Sequence, residues 1–514
     1  MAGDIDDLTH LGPLLASEGV DRRITVNLMA AKAFLAEGRP DQALICAERL
    51  FRLSGWQPAV APVLLSILDG MGAVARATEV RKIACLSACK AGDFALVRRL
   101  YLDWRYHHVA VLGREVFDAD PCVIEGLDRL AERLRPPGET PGGGRAPRQT
   151  PRVLYVLSSV TQEGSVLAKL MAGLLTHHDA SRCEVGVAIA DADQRAFEES
   201  AEGRQVRTVA TLRGWTTFVA SEAGIEARLR ALRARVIDWA PDLLVTNAAL
   251  AQPEAYLLVR SLDIPWVAQV VGPPAQFTAP GAVFNIASDE RLLMDCPGSG
   301  TIVRVEVDLP DDQKVTPLAR TALGIPEGAP VLCGAGRPVK FSPRYLAVVA
   351  EVLRKVPTSW FLALGVGREG LAALPEDVAG RVVALPWTRD YLGALALGDL
   401  MIDTFPSGGG VTVMDAMALS IPVLVMGHDL WREYRSDQWS VAHEFALPDL
   451  VIAADDDGAL AARAVEILGD ALTLGVMGAR ARPRVVARRG DVARMTKRFE
   501  DAYRGVLDLL SPRV

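Results

Sequence analysis

Lysine is nearly missing from this chain: only eight of its 56 basic residues are lysine, so each one in an arginine-rich background is worth placing. Cysteine is scarce too, with seven in 514 residues, an odd count that contains no Cys-x-x-Cys pair. That excludes a disulfide framework and a paired-thiol zinc site, and it fits reduced thiols in a cytoplasm. Cys85 and Cys89 fall four apart on an expected helix, a spacing that packs a core. No apolar run approaches the ~18–20 residues of a membrane span. The first ten residues carry Asp4, Asp6 and Asp7 but no basic stretch of the kind that opens a secretory signal. A cytoplasmic protein with no membrane span is therefore expected. Basic residues do not exceed acidic ones: 56 against 63 leaves −7, with no global reason to bind nucleic acid. Two nucleotide motifs are also missing. There is no G-x-x-x-x-G-K-[ST], which excludes a P-loop kinase or ATPase. A G-x-G-x-x-G does occur at Gly365–Gly370, but the next apolar run, Arg381–Leu385, ends in leucine and proline where an acid would have to hold a ribose. That argues against a nicotinamide or flavin enzyme, and no cofactor is expected.

A chain of 514 residues predicts two to four domains. The clearest seam is 136–150, PPGETPGGGRAPRQT, where four prolines and four glycines cannot sustain a helix or a strand. Residues 1–135 read as helical. Gly38 and Gly72 are 34 apart, as are Ala43 and Ala77, Ala31 and Leu65, and Phe34 and Leu68. That is the tetratricopeptide period, in which small residues let antiparallel helices approach closely. The register fails at Gly92, so an irregular helical bundle stays open beside two degenerate repeats. Either way, docking a partner or forming a homodimer is the expected task. After the linker, strands alternate with helices. RVLYVLSS (Arg152–Ser159) is a buried parallel strand opening into a loop, and PVLCGAG (Pro330–Gly336) starts a second series. The expected fold is therefore a helical domain followed by α/β, with two Rossmann-like doubly wound domains at 151–310 and 311–514 and a ligand cleft at the carboxyl ends of their strands.

The informative stretch is 336–427. Arg337 and Lys340 follow a strand and precede a helix opened by Ser342-Pro343, so two cations three residues apart face unpaired N–H groups, an arrangement suited to a diphosphate. A solvated surface pair is the plain alternative. Downstream, Gly408, Gly409 and Gly410 form a turn at which backbone N–H groups can approach phosphate oxygens, and the helix from Val411 and Thr412 points its positive end there. Asp415 lies one turn inside, where a carboxylate can accept both hydroxyls of a ribose. Pro386, Trp387 and Thr388 follow a strand end and could flank a base. The Asp-x-Asp pairs at Asp118–Asp120 and Asp191–Asp193 could hold Mg²⁺, but solvated loop charge explains them as well, and no metal is expected.

These segments carry a resemblance. VKFSP (Val339–Pro343), VPTSWFLAL (Val356–Leu364) and LGDLMIDTFPSGGGVTVMDAMALSIPVLVMGH (Leu397–His428) are similar, in order and spacing, to the donor-binding segments of GT-B glycosyltransferases, specifically the O-GlcNAc transferase-like group. The likeness covers 330–430 by motif and 150–310 by pattern, including GPPAQFTAPGAVFNIASDE (Gly272–Glu290), and a tetratricopeptide-like amino-terminal region also fits the group. It implies a UDP-sugar donor, with Lys340 on the diphosphate, Asp415 on the ribose and the amides of Gly409–Thr412 on the phosphates. Two departures stand out. The group often carries Asn-Gly-His-Thr-Thr where this chain has Ser407 to Thr412, and its acceptor-activating histidine has no counterpart, because His177-His178 ends a helix. Retaining GT-B enzymes commonly carry two acids seven apart, and the position seven before Asp415 is Gly408, which leans towards an inverting enzyme.

The expectation is thus an inverting, metal-independent transfer of a sugar to a hydroxyl of a protein, with a bacterial surface protein such as flagellin as one possible acceptor. Glu163, in the loop after the first strand, and Asp289 are the candidate general bases, beside Lys340 as the catalytic cation. A lipid or polysaccharide acceptor, an epimerase or hydrolase on the same plan, and a non-catalytic scaffold that binds nucleotide sugar remain alternatives.

Overall fold

The computed structural model describes residues 22–106, 120–139, 148–247, 252–270, 281–296, 298–427 and 440–510. Asp118, residues 140–147 of the expected linker, 272–280 of the quoted first-domain segment and His428 lie outside them.

The amino-terminal region is helical. Arg22–Ala36 pairs with Pro40–Leu53, and Ala61–Gly70 with Val74–Ala91. Gly38 (φ +68°) and Gly72 (φ +67°) turn the two hairpins in the left-handed conformation that glycine adopts without a Cβ clash. Ala31, Ala43, Ala47 and Ala77 are fully buried between the helices. Phe94–Tyr106 and Pro121–Glu132 follow. The latter is capped by Asp120, whose carboxylate accepts from the amides of Cys122 and Val123, and it buries Val123, Ile124, Leu127, Leu130 and Ala131 along one stripe.

That helix packs on both Val74–Ala91 and the helix Pro253–Arg260, so one apolar core runs from the helical region to Leu154, Val156 and Ala188 of the first sheet. Polar contacts fix the dock. Asp128 accepts from Tyr256 Oη at 2.6 Å and Arg260 Nε at 2.8 Å, Arg135 pairs with Asp263 at 2.8 Å, and Arg98 lies 2.6 Å from the fully buried Glu254.

The first sheet comprises β1 (Arg152–Leu157), β2 (Glu184–Ile189), β3 (Thr216–Phe218), β4 (Leu243–Asn247), β5 (Trp266–Val270), β6 (Phe284–Ala287) and β7 (Gly300–Ile302). It is parallel throughout, in the order β3-β2-β1-β4-β5-β6-β7. The second comprises β8 (Val331–Ala335), β9 (Trp360–Leu364), β10 (Val382–Leu385), β11 (Leu400–Ile402), β12 (Val423–Met426) and β13 (Val451–Ile452), parallel in the order β10-β9-β8-β11-β12-β13. The order reverses beside β1 and again beside β8. At such switch points the loops leaving adjacent strands diverge and open a crevice at the carboxyl edge. A helical region followed by two Rossmann-like sheets is the architecture expected from the sequence.

One boundary differs. The closing helix Val492–Leu510 was expected with the second domain, yet Met495, Phe499, Tyr503 and Val506 share a core with Val153, Tyr155 and Val185 of the first sheet. Its apolar stripe announces a buried face without naming the partner, and that partner is some 340 residues back along the chain. Buried polar groups finish the dock. Tyr155 Oη meets His178 Nε2 at 2.8 Å and Tyr503 Oη at 3.1 Å, and His178 Nδ1 meets Glu500 at 3.0 Å.

Candidate active site

The crevice edge of the second sheet is built by two loops that hold each other. After β8, the chain passes Gly336 and Arg337 into a tight turn, Pro338–Lys340, and then Ser342 caps the helix Pro343–Lys355 by accepting from the amide of Tyr345 at 3.1 Å. The Ser342 hydroxyl donates to the carbonyl of Phe405 at 2.7 Å, tying this helix start to the segment after β11. Lys340 reaches the same segment, its Nζ donating to the carbonyl of Gly408 at 2.6 Å. Burial lowers the Lys340 ammonium, the Asp403 carboxylate raises it, and Arg337 adds repulsion. Arg337 itself is exposed.

Asp403 sits beneath the turn. It accepts from the amide of Gly409 at 2.7 Å and from Ser440 Oγ at 2.6 Å. Burial pushes its carboxyl up to about 6, against the pull of those hydrogen bonds and of Lys340. The glycines are there for close approach: a Cβ on Gly408 would lie 2.3 Å from the Cβ of Ser440, and one on Gly409 would lie 2.4 Å from Thr412 Oγ1. The helix Val411–Ala418 begins at the cap Gly410. Its first-turn N–H groups have no partner within the helix and carry the positive end of its dipole. Of the amides expected to face phosphate, Gly409 is corrected: its N–H belongs to Asp403, which leaves Gly410, Val411 and Thr412 as the candidates.

Asp415 is 4% exposed on that helix, and burial raises its carboxyl. Its Oδ1 accepts from Lys169 Nζ at 2.7 Å. Lys169 belongs to the helix Val166–His177 of the first Rossmann-like domain, so the ion pair bridges the crevice. Tyr391 completes this wall. Its hydroxyl is buried without a hydrogen-bond partner, and burial raises it, with the charge of Asp415 adding to the effect. The Tyr391 ring stacks on Trp387, centroids 5.6 Å apart and planes 18° from parallel. Trp387 in turn touches Gly164 of the first domain. Pro386 is exposed, and Thr388 Oγ1 accepts from the amide of Asp390 at 3.3 Å.

The structure therefore sets Lys340 against the turn Gly408–Gly410 and Asp415 on the helix which that turn opens, with Trp387 at the interdomain seam. Neither proposed base hydrogen-bonds to a member of that set. Glu163 is exposed beside Gly164. Asp289, at the carboxyl end of β6, caps the helix Glu290–Asp295 by accepting from the amide of Leu292 at 2.9 Å, and its carboxyl is raised by burial. Sequence reasoning missed Lys169, Tyr391, Asp403 and Ser440. Only Lys169 carried a signal, its rarity as a lysine.

The described acids of the two pairs have structural work. Asp120 and Asp193 cap helices, and Asp191 accepts from the amide of Ser159 at 2.7 Å. Among the described residues, one group has metal-ligand chemistry: His178, Cys183 and Glu500, with candidate atoms within 4.8 Å of one another. It lies at the dock of the closing helix, some 18 Å of helix rise from the crevice end of Val166–His177. Both ring nitrogens of His178 are engaged by Tyr155 and Glu500, and Glu500 also accepts from the amide of Asp179 at 2.8 Å. No described helix is long and apolar enough to cross a membrane.

No protein-family model and no curated protein matches the chain. Solved structures do. A mutant of the O-GlcNAc transferase from Thermobaculum terrenum superposes over 95% of this chain and 97% of its own, with a TM-score of 0.55 and 16% identity. Sucrose-phosphate synthase from Thermosynechococcus elongatus covers 70% of this chain and 100% of its own (TM-score 0.50, 15% identity). The HepE protein of Anabaena, solved with UDP-glucose, covers 69% of this chain and 100% of its own at the same score and identity. At these identities the likeness establishes the fold, which is GT-B.

Proposed function

We propose that this protein is a nucleotide-sugar-dependent glycosyltransferase that uses a UDP-sugar as donor. One observation carries the reading: Lys340 holds the glycine turn that opens the helix Val411–Ala418, and Asp415 lies on that same helix, paired across the crevice with Lys169. A diphosphate at that turn would meet the ammonium of Lys340 and the amides of Gly410, Val411 and Thr412, while its ribose diol donated to Asp415. The fold neighbour solved with UDP-glucose supports the donor class.

Glycosyl transfer passes through an oxocarbenium-like state while negative charge grows on the departing diphosphate. Groups held ready for that charge act best in a site that excludes water, each contributing about 2.7–4 kcal/mol to lowering the barrier. Lys340 is such a group, since its contact with the Gly408 carbonyl fixes the ammonium before a donor arrives. Transfer is read as inverting because no carboxylate stands seven residues before Asp415. It is read as metal-independent because Asp120, Asp191 and Asp193 are engaged in backbone hydrogen bonds. Exposed Glu163, in the loop facing Trp387, is the preferred general base over Asp289, which already serves as a cap. A protein hydroxyl is the proposed acceptor. Its support is the tetratricopeptide-like helical region, which is held rigidly to the first domain by Asp128 and Arg135 and so would present a docked chain in a fixed register.

The test is a panel of UDP-sugars. One should raise the melting temperature of the purified protein, and co-expressed cell proteins should then gain the mass of that sugar. Absence of stabilisation by every nucleotide sugar would overturn the donor reading, and sugar found only on lipid or glycan would overturn the acceptor.

A further inference from the structure

Lys169 is a cation in a costly place. It lies in the first turn of its helix, capped by Ser165, where the dipole disfavours positive charge. It is also one of only eight lysines in the chain. Its partner Asp415 belongs to the other domain and, on the donor reading above, is the ribose-binding carboxylate. The hydroxyl of Tyr391 is buried and unpartnered on the same wall.

Resting on that donor reading, we propose that Lys169 is a donor-responsive positioning residue supplied by the acceptor domain. In the empty crevice its ammonium neutralises Asp415. When a nucleoside diphosphate seats its ribose diol on that carboxylate, the ammonium turns to the diphosphate and holds the first Rossmann-like domain over the donor. The move is short. Asp415 lies four residues from Val411, ~6 Å of helix rise, a distance that a lysine side chain covers by changing rotamer. The charge balance favours it as well. A ribose diol is neutral and cannot replace the cation beside Asp415, whereas the diphosphate brings new negative charge within reach of both Lys169 and Lys340. A nucleoside lacking phosphate has to displace Lys169 with nothing to receive it. The site thereby selects diphosphates over nucleosides by more than the direct phosphate contacts of the second domain alone.

The experiment compares UDP with uridine by titration calorimetry, using the full chain as wild type, Lys169→Met and Lys169→Arg. The Met variant should lose at least about tenfold in UDP affinity while uridine binding is unchanged or tighter, and the Arg variant should restore most of the loss. Unchanged UDP affinity in Lys169→Met, or equal shifts for UDP and uridine, overturns the proposal, since an ion pair serving only the fold cannot separate the two ligands. Lys169→Gln replaces the Met variant if that one does not fold. Failure of the wild type to bind any nucleoside diphosphate would be a different result, removing the donor reading itself.

Discussion

Trp387 lies face-on to Gly164 across the crevice, so that a Cβ built on the glycine would stand 2.9–3.1 Å from three carbons of the indole ring. Gly164 has φ +69°, which most other residues adopt only at a cost of roughly 1–2 kcal/mol. Gly164→Ala therefore strains the loop and pushes Trp387 off its neighbour. Because Trp387 stacks on Tyr391 beside Asp415, the disturbance reaches the proposed ribose site. We expect a loss of several-fold in UDP affinity with a fall of a few degrees in melting temperature, read by calorimetry and thermal unfolding. Undiminished UDP affinity would remove Trp387 from the donor site.

Lys340→Ala should lower kcat by about 100-fold or more, the effect of removing one preorganised donor from a transition state. UDP affinity should fall by less than tenfold, because the Gly410–Thr412 amides remain. Steady-state kinetics with the best UDP-sugar separates the two effects. A variant as active as wild type would leave Lys340 as a tether for the Gly408 carbonyl and nothing more.

Asp403 gives the site a pH signature. Its carboxyl is raised to about 6 by burial, from the ordinary 3.8. Between those values the folded state binds more protons than the unfolded one, so this group's contribution to stability falls as pH rises through the window. Above it, the ionised form costs on the order of 3 kcal/mol. Asp403→Asn removes the titration, so the variant should gain on wild type between pH ~4 and ~7, measured by urea denaturation at both ends. A stability difference independent of pH would contradict the buried-carboxylate account.

What was legible in the sequence follows from how far each signal reaches. Strands buried on both faces read as short apolar runs, so Arg152–Leu157 and Val331–Ala335 were visible locally, and so was the sheet type they imply. Ser342-Pro343 and the Gly408–Gly410 turn were visible for the same reason, since a helix start and a close approach are written in adjacent residues. Lys169 and Asp415 are 246 positions apart and on different domains, and no local pattern joins them. Separation along the chain also hid the return of the closing helix to Tyr155, 348 positions away, and the Ser440 hydroxyl beneath Asp403, 37 positions away. Reading the Gly409 amide as a phosphate donor failed because its partner, Asp403, looked like an ordinary strand end.

Asp128 tests whether the helical region and the first domain unfold together. Its carboxylate joins Tyr256 and Arg260, and Asp128→Ala leaves the hydroxyl of the buried Tyr256 without its acceptor. A loss of roughly 1–3 kcal/mol is expected. Because one apolar core spans both parts, the transition should stay single, with a lower midpoint and an unchanged denaturant slope. Separation into two transitions would make the helical region an independent module.

Asp415 allows the ribose assignment to be tested apart from the diphosphate. A carboxylate that accepts from both ribose hydroxyls should make the wild type prefer UDP over 2′-deoxy-UDP by about tenfold, the scale of a hydrogen bond to a charged group. Asp415→Ala alone is an ambiguous probe, since it leaves the Lys169 ammonium without its partner at 2.7 Å and free to bind phosphate more tightly. The double variant Asp415→Ala with Lys169→Met removes both charges, and the cycle of four proteins isolates their coupling. The preference for UDP should vanish in both proteins that lack Asp415, while Lys169→Met alone should keep it, because the diol still finds its carboxylate. A preference that survives the loss of Asp415 would place the ribose elsewhere, and Lys340 at the glycine turn with Asp415 on the helix it opens would no longer describe a nucleotide site.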